Sequence, residues 1–140
     1  MTAFSSRTMT AADWGLCEYF AASEFKYPDA MGVEFIQWLE TVRVEAGVPM
    51  HIVSDHRTPE RNANAGGAER SAHMDVPCNA VDIGKRPTAN DPNWNHARYR
   101  IIKAALKLGC QRIGMYPSGS LHLDRGEDTH PAPRIWIAVT

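Results

Sequence analysis

The strongest constraint on the fold is a change of hydrophobic period along the chain. Between residues 31 and 45, Phe35, Leu39 and Val42 recur at i, i+4 and i+7, flanked by Ile36 and Trp38. Gly47 and Pro49 follow, so the spacing predicts an amphipathic helix closed by residues that end helices. Residues 97–108 repeat the pattern with Ile101, Ala105 and Leu108 on one face, and Gly109 follows. Beyond Gly109 the period falls to two. Arg112-Ile113-Gly114-Met115-Tyr116, Ser120-Leu121-His122-Leu123-Asp124 and Arg134-Ile135-Trp136-Ile137-Ala138 each alternate apolar with other residues. Helices first and alternating strands last predict an α+β fold, with N-terminal helices packed on a small antiparallel sheet and the late strands joined as a meander.

Shorter elements fill the gaps. Residues 8–25 are compatible with a helix that starts near Thr10 and Asp13, and residues 26–29 form a turn. Met50-His51-Ile52-Val53 and Ala80-Val81-Asp82-Ile83 are short β-like runs. Thr58-Pro59-Glu60 has a capping residue, a proline at the first helical position and then an acid, so a helix begins there and Gly66-Gly67 ends it. Residues 85–95 form a polar loop in which Lys85-Arg86-Pro87 is too short for a nucleic-acid patch.

At 140 residues the chain is sized for one domain, spanning 1–140. The 15 lysines and arginines nearly balance 16 acids, which argues against non-specific binding to nucleic acid or anionic membranes. Cys17, Cys78 and Cys110 are widely spaced and make no CxxC motif, so they are expected to be reduced. No apolar run is long enough to span a bilayer and the N-terminus lacks a secretory core. The expectation is a monomer made in the cytoplasm, with no membrane insertion.

Six histidines draw attention, because imidazole is both a common metal ligand and a proton carrier near neutrality. His73 stands in a loop, Asp82 inside one expected strand and His122 inside another. A catalytic zinc site takes three such ligands and leaves a fourth position open. The alternation puts Ala80 and Asp82 on one strand face, and Ser120, His122 and Asp124 on one face of theirs. Phe35, Trp38, Leu39 and Trp136 read as core, with cleft lining as the alternative for Trp136. His51 and His96 read as surface residues, and nothing argues a role for His130.

In its motifs the chain resembles the zinc D-Ala-D-Ala carboxypeptidase-like peptidases, a group that includes phage endolysin peptidases and shares its metal site with the hedgehog signalling domain. The resemblance runs in order through Ser54-Asp55-His56-Arg57-Thr58-Pro59-Glu60, Asn62, Gly66-Gly67-Ala68, Ser71-Ala72-His73, Ala80-Val81-Asp82-Ile83, Ile113-Gly114-Met115-Tyr116-Pro117, Leu121-His122-Leu123-Asp124 and Arg134-Ile135-Trp136. It implies Zn²⁺ held by His73, Asp82 and His122 on the face of the sheet. It implies that Arg57, in the family's Ser-x-x-Arg motif, faces the substrate, binding a carboxylate or steadying an oxyanion. Ser71 is implied as a substrate-side residue that orients the loop bearing His73.

Three departures from the family pattern leave alternatives open. Eight residues separate His73 from Asp82, more than is usual, so Asp75 and Cys78 become rival ligands. His122-Leu123-Asp124 stands where many relatives have His-x-His, which makes Asp124 a rival to His122. The acid that many relatives carry three positions before the final ligand is Gly119 here if that ligand is His122, or Leu121 if it is Asp124. Asp124 is then the nearest candidate for the catalytic carboxylate, with Asp75, Glu69 and His56 behind it. The resemblance implies hydrolysis of an amide bond in peptidoglycan peptides, by a carboxypeptidase or endopeptidase acting as a phage lysin or within a phage particle. The other class of reading is a non-catalytic zinc-binding module of the same fold.

Overall fold

Why the middle of the chain is helical is visible in what it buries. The computed structural model describes residues 7–64, 71–85 and 93–137. Helix α2, Val33–Ala46, turns Val33, Phe35, Ile36, Trp38, Leu39, Val42 and Ala46 inward. It stops at Gly47, whose φ of 67° is left-handed and whose N–H returns to the Arg43 carbonyl. Helix α4, Trp94–Lys107, buries Trp94, Ile101, Ala104 and Ala105. α2 and α4 pack together, and the Trp38 indole N–H donates to the Leu108 carbonyl at 2.8 Å. Two short α-helices complete the set among the described residues, α1 at Ala11–Gly15 and α3 at Pro59–Asn64.

Among the described residues, five strands form one sheet: β1 His51–Ser54, β2 Ala80–Gly84, β3 Arg112–Met115, β4 Leu121–Asp124 and β5 Arg134–Ile137. Their order is β1-β2-β4-β3-β5. β2 and β4 lie centrally and are buried along their whole length, as strands covered on both faces must be. Val81, Ile83, Ile113, Leu121 and Leu123 join α2 and α4 in one hydrophobic cluster. The opposite face carries Asp82, His122, Asp124, Arg112 and Gly114, because side chains alternate across a strand.

Two expectations are corrected. The late strands are not a meander and the sheet is not wholly antiparallel. β3 and β4 pair antiparallel, but β5 runs parallel to β3 on its outer edge. The meander position beside β4 is taken by β2, whose register sets Val81 against Leu123 and Asp82 against His122. Residues 125–133 therefore carry the chain back to start β5 beside β3, where the Arg134 N–H donates to the Gln111 carbonyl.

The helix expected over residues 8–25 is also shorter. Thr10 and Asp13 do form a capping box, but α1 ends at Gly15. The N–H groups of Glu18, Tyr19 and Phe20 donate instead to the Glu40 carboxylate on α2, at 2.8, 2.7 and 2.9 Å. A carboxylate that collects three backbone donors competes with helical pairing and straps the loop to α2. The Gly66-Gly67 stop and most of the loop at 85–95 lie outside the described residues. Cys17, Cys78 and Cys110 are free, and no described helix is long and apolar enough to cross a membrane.

Glu40→Ala is expected to lower stability by about 1–3 kcal/mol, since hydrogen bonds to a charged group contribute about 1.5–3 kcal/mol when well made. Urea unfolding of both proteins measures it, and Glu40→Gln should recover part of the loss.

Candidate metal centre

The site is assembled from two central strands and one loop. Register places Asp82 of β2 directly opposite His122 of β4. His73 reaches them from a 3-10 turn, Ala72–Met74, whose N-terminal cap is Ser71; the Ser71 hydroxyl accepts from the His73 N–H at 3.2 Å. The result is a buried group in which one ligand-type atom from each of His73, Asp82 and His122 lies within 4.8 Å of the other two. His73 Nε2 and His122 Nδ1 each stand 3.1 Å from Asp82 Oδ1.

Each imidazole has its remaining nitrogen engaged. His73 Nδ1 is 2.7 Å from the Asp55 carbonyl, which can only accept, so Nδ1 carries the proton and Nε2 is left for the cluster. His122 Nε2 is 2.5 Å from Asp124 Oδ2, which turns Nδ1 to the cluster. These partners are themselves fixed. The Asp55 carboxylate accepts from the N–H groups of Lys26 and Tyr27. Asp124 accepts from Arg112 Nε at 2.7 Å and from the Gly126 N–H at 2.9 Å.

Electrostatics follow from this packing. Burial favours the neutral form of Asp82, but hydrogen bonds from His122 and His73 outweigh it and hold the carboxyl well below the usual carboxylate range. Burial opposes charge on His122 too, yet the hydrogen bonds to Asp124 and Asp82 prevail and push it up to about 9. Asp124 is likewise held below the ordinary range against its burial, chiefly by His122. His122 thus sits between two carboxylates that favour its charged form.

Arg57 and Tyr116 complete the surroundings of Asp82. Arg57 Nη2 donates to Asp82 Oδ2 at 3.0 Å, while its Nε and Nη1 reach Ser54 and Asn62. The Arg57 N–H also donates to the His73 carbonyl, which ties the two loops together. Tyr116 Oη lies 3.0 Å from both Asp82 oxygens. Burial and the Asp82 charge push its hydroxyl above the ordinary tyrosine range, so it remains a donor.

The rival residues fall elsewhere. Asp124 is wholly buried, and both its oxygens are spoken for on the far edge of the His122 ring. With both oxygens engaged, Asp124 fits a carboxylate that orients an imidazole rather than a free proton carrier. Cys78 is fully buried with its thiol against the Ala72, His73 and Ala80 carbonyls, and burial pushes it far from thiolate formation. Asp75 pairs with His130 at 2.8 Å. His56 packs edge-on against Tyr27, and Glu69 lies outside the described residues. His51 and His96 are not part of the cluster.

Trp136 is a departure from the core reading. Phe35, Trp38 and Leu39 are buried, whereas Trp136 is half-buried on the metal side of the sheet, its ring 5.2 Å from that of His122. It rests over Gly114, where an added Cβ would come within 2.8 Å of the indole. Arg112 lies over its other flank at 5.0 Å. Tyr116, Gly114 and the Asp55 carbonyl are additions to the residues that sequence reasoning gives a role at the site, whereas Trp136, whose alternative reading is cleft lining, stands beside His122. Alternation places Trp136 on one face with Arg134, and Gly114 and Tyr116 on one face with Arg112; which strands lie beside those faces depends on contacts between distant segments.

Two imidazole nitrogens and a carboxylate oxygen, buried, convergent and individually oriented, form a donor set suited to a divalent ion. The comparison with protein families agrees. The Peptidase M15 model matches residues 10–124, from the start of α1 to the end of β4, and the α+β fold with its His–Asp–His cluster is consistent with it. The chain belongs to the Peptidase M15 family. It is thus a member of a metallopeptidase family and carries residues able to hold the metal. No match is found among curated proteins.

A metal ion needs the lone pair on His122 Nδ1, so binding expels a proton, and affinity should fall about tenfold per pH unit below about 9. Competition with a chelator at two pH values near neutrality measures this. In the same assay Asp124→Asn should weaken metal binding about 10–100-fold, as losses of such orienting partners do.

Proposed function

We propose that the protein is a zinc-dependent peptidase that hydrolyses an amide bond in the stem or cross-link peptides of bacterial cell walls. The observation that carries this reading is the donor set of His73 Nε2, Asp82 Oδ1 and His122 Nδ1, with the second nitrogen of each imidazole already occupied. Zinc, when bound there, supplies a Lewis acid that polarises a carbonyl and acidifies water. The family match supports peptide hydrolysis, and the cell-wall substrate comes from the motif resemblance.

The chain's own residues take distinct parts. Arg57 presents a planar fork of donors beside Asp82, where it meets either a substrate carboxylate or the oxygen that gains charge during attack. Asp124 fixes His122, and Ser71 fixes the turn that bears His73. Trp136 forms an aromatic wall beside His122. The protein acts as a monomer at the cell wall, reached by phage lysis or as part of a phage particle.

A second reading is a non-catalytic zinc module, favoured by one observation. Gly119 replaces the upstream acid, and Asp124 is committed to Arg112 and Gly126. Turnover separates the two. Zinc-loaded protein incubated with purified sacculi should release new amines, and mass spectrometry of the products identifies the bond. His122→Ala and chelated protein should be inactive. Zinc binding without any release would leave the module reading in place.

A further inference from the structure

In a peptidase of this kind the carbonyl oxygen gains negative charge during attack, and a single guanidinium donor beside the cluster leaves a gap in the hydrogen bonds that would meet it. We propose, resting on the peptidase reading, that the Tyr116 hydroxyl fills part of that gap as a catalytic residue, donating a hydrogen bond to the scissile carbonyl oxygen as negative charge develops on it.

Position comes first. Tyr116 directly follows β3, at the start of the tight connection to β4. Its N–H donates to the Ser120 carbonyl at 3.0 Å and its carbonyl accepts from the Gly119 N–H at 2.9 Å. This closed turn fixes where the side chain starts. From there the phenol reaches the cluster, and Oη lies 3.0 Å from Asp82 Oδ1, the same oxygen that lies 3.1 Å from each imidazole nitrogen. A hydroxyl at hydrogen-bond distance from a ligand atom borders the cluster, where it can meet a group drawn to an ion held there.

Availability comes second. Tyr116 is half-buried, whereas Asp124 is wholly enclosed. Its hydroxyl is shared equally between two oxygens, a divided bond that is weaker than a direct one. Oδ1 is also the Asp82 oxygen that a metal would engage. Occupation of the cluster thus releases part of the Tyr116 bond and leaves its O–H free to turn to a substrate oxygen. Arg57, 3.0 Å from Oδ2, brings a second donor to the same carboxylate. Tyrosine and arginine together thus bracket Asp82, both as donors and neither as base. Tyr116 neither gains nor loses a proton in this role; its O–H bond stays intact and only its hydrogen bond changes partner.

The merely structural alternative is that Tyr116 holds the Asp82 carboxylate in place. Tyr116→Phe separates the two, with three readouts on folded protein. Removing one oxyanion donor should cut kcat by about 10²–10³-fold, with KM for a muropeptide and the zinc dissociation constant unchanged. A phosphinate analogue of the cleaved bond, which carries charged tetrahedral oxygens, should lose affinity by a similar factor while the uncleaved peptide does not. A fall in zinc affinity of about 10–100-fold with kcat restored at saturating zinc would show a positioning role and overturn the proposal. Equal phosphinate affinity in both proteins would overturn it as well. If wild-type protein cleaves nothing, the peptidase reading fails, and phosphinate affinity still decides on Tyr116; no phosphinate binding by wild-type protein overturns it.

Discussion

The antiparallel pairing of β2 with β4 is the interaction on which the rest depends. Its register sets Asp82 opposite His122 and Ala80 opposite Asp124 on one face, and Val81 opposite Leu123 and Ile83 opposite Leu121 on the other. A slip of one residue would send the ligands into the core and the leucines to the site. The apolar rows buried with α2 and α4 therefore lock the geometry of the polar rows. Stability and site share one register.

Around that pair the polar groups form a directed sequence. The Gly126 N–H and Arg112 hold Asp124, Asp124 holds His122, and His122 meets Asp82. On the other side, the N–H groups of Lys26 and Tyr27 hold Asp55, and its carbonyl holds His73. Both chains of hydrogen bonds end at the same carboxylate oxygen. A buried polar network of this kind is tolerable because its members satisfy one another. Removing one partner leaves charge uncompensated in a low-dielectric setting, so the cost of a change is set by what it strands rather than by what it deletes.

Gly114 and Trp136 show how a strand outside the pair shapes the site. β5 joins β3 in parallel and brings the indole across the sheet to His122. A side chain at 114 would occupy the space of that ring. The absence of a Cβ on β3 is thus what allows an edge strand to reach a central histidine.

Much of the fold and of the site is legible in the residues. Helical spacing marks α2 and α4, alternation marks all three late strands, and the Thr10 cap and Gly47 stop lie where their chemistry requires. His73, Asp82 and His122 stand out by residue type and by family resemblance. The structure brings them together despite the lengthened spacing between the first two. The exceptions have a common cause. The early helix ends because Glu40, distant in sequence, captures the N–H groups beyond it. β5 pairs in parallel because β2 already occupies the edge of β4.

What the sequence determined by itself is local: the period of each segment, the face on which each side chain stands, and which residues have donor atoms to offer. The tertiary structure alone decided the pairing of strands, the nitrogen each histidine presents, the engagement of both Asp124 oxygens and the contact of Tyr116 with Asp82. Alternation assigns a residue to a face without saying which strand lies beside it. A histidine has two nitrogens, and only a partner from elsewhere in the chain selects between them.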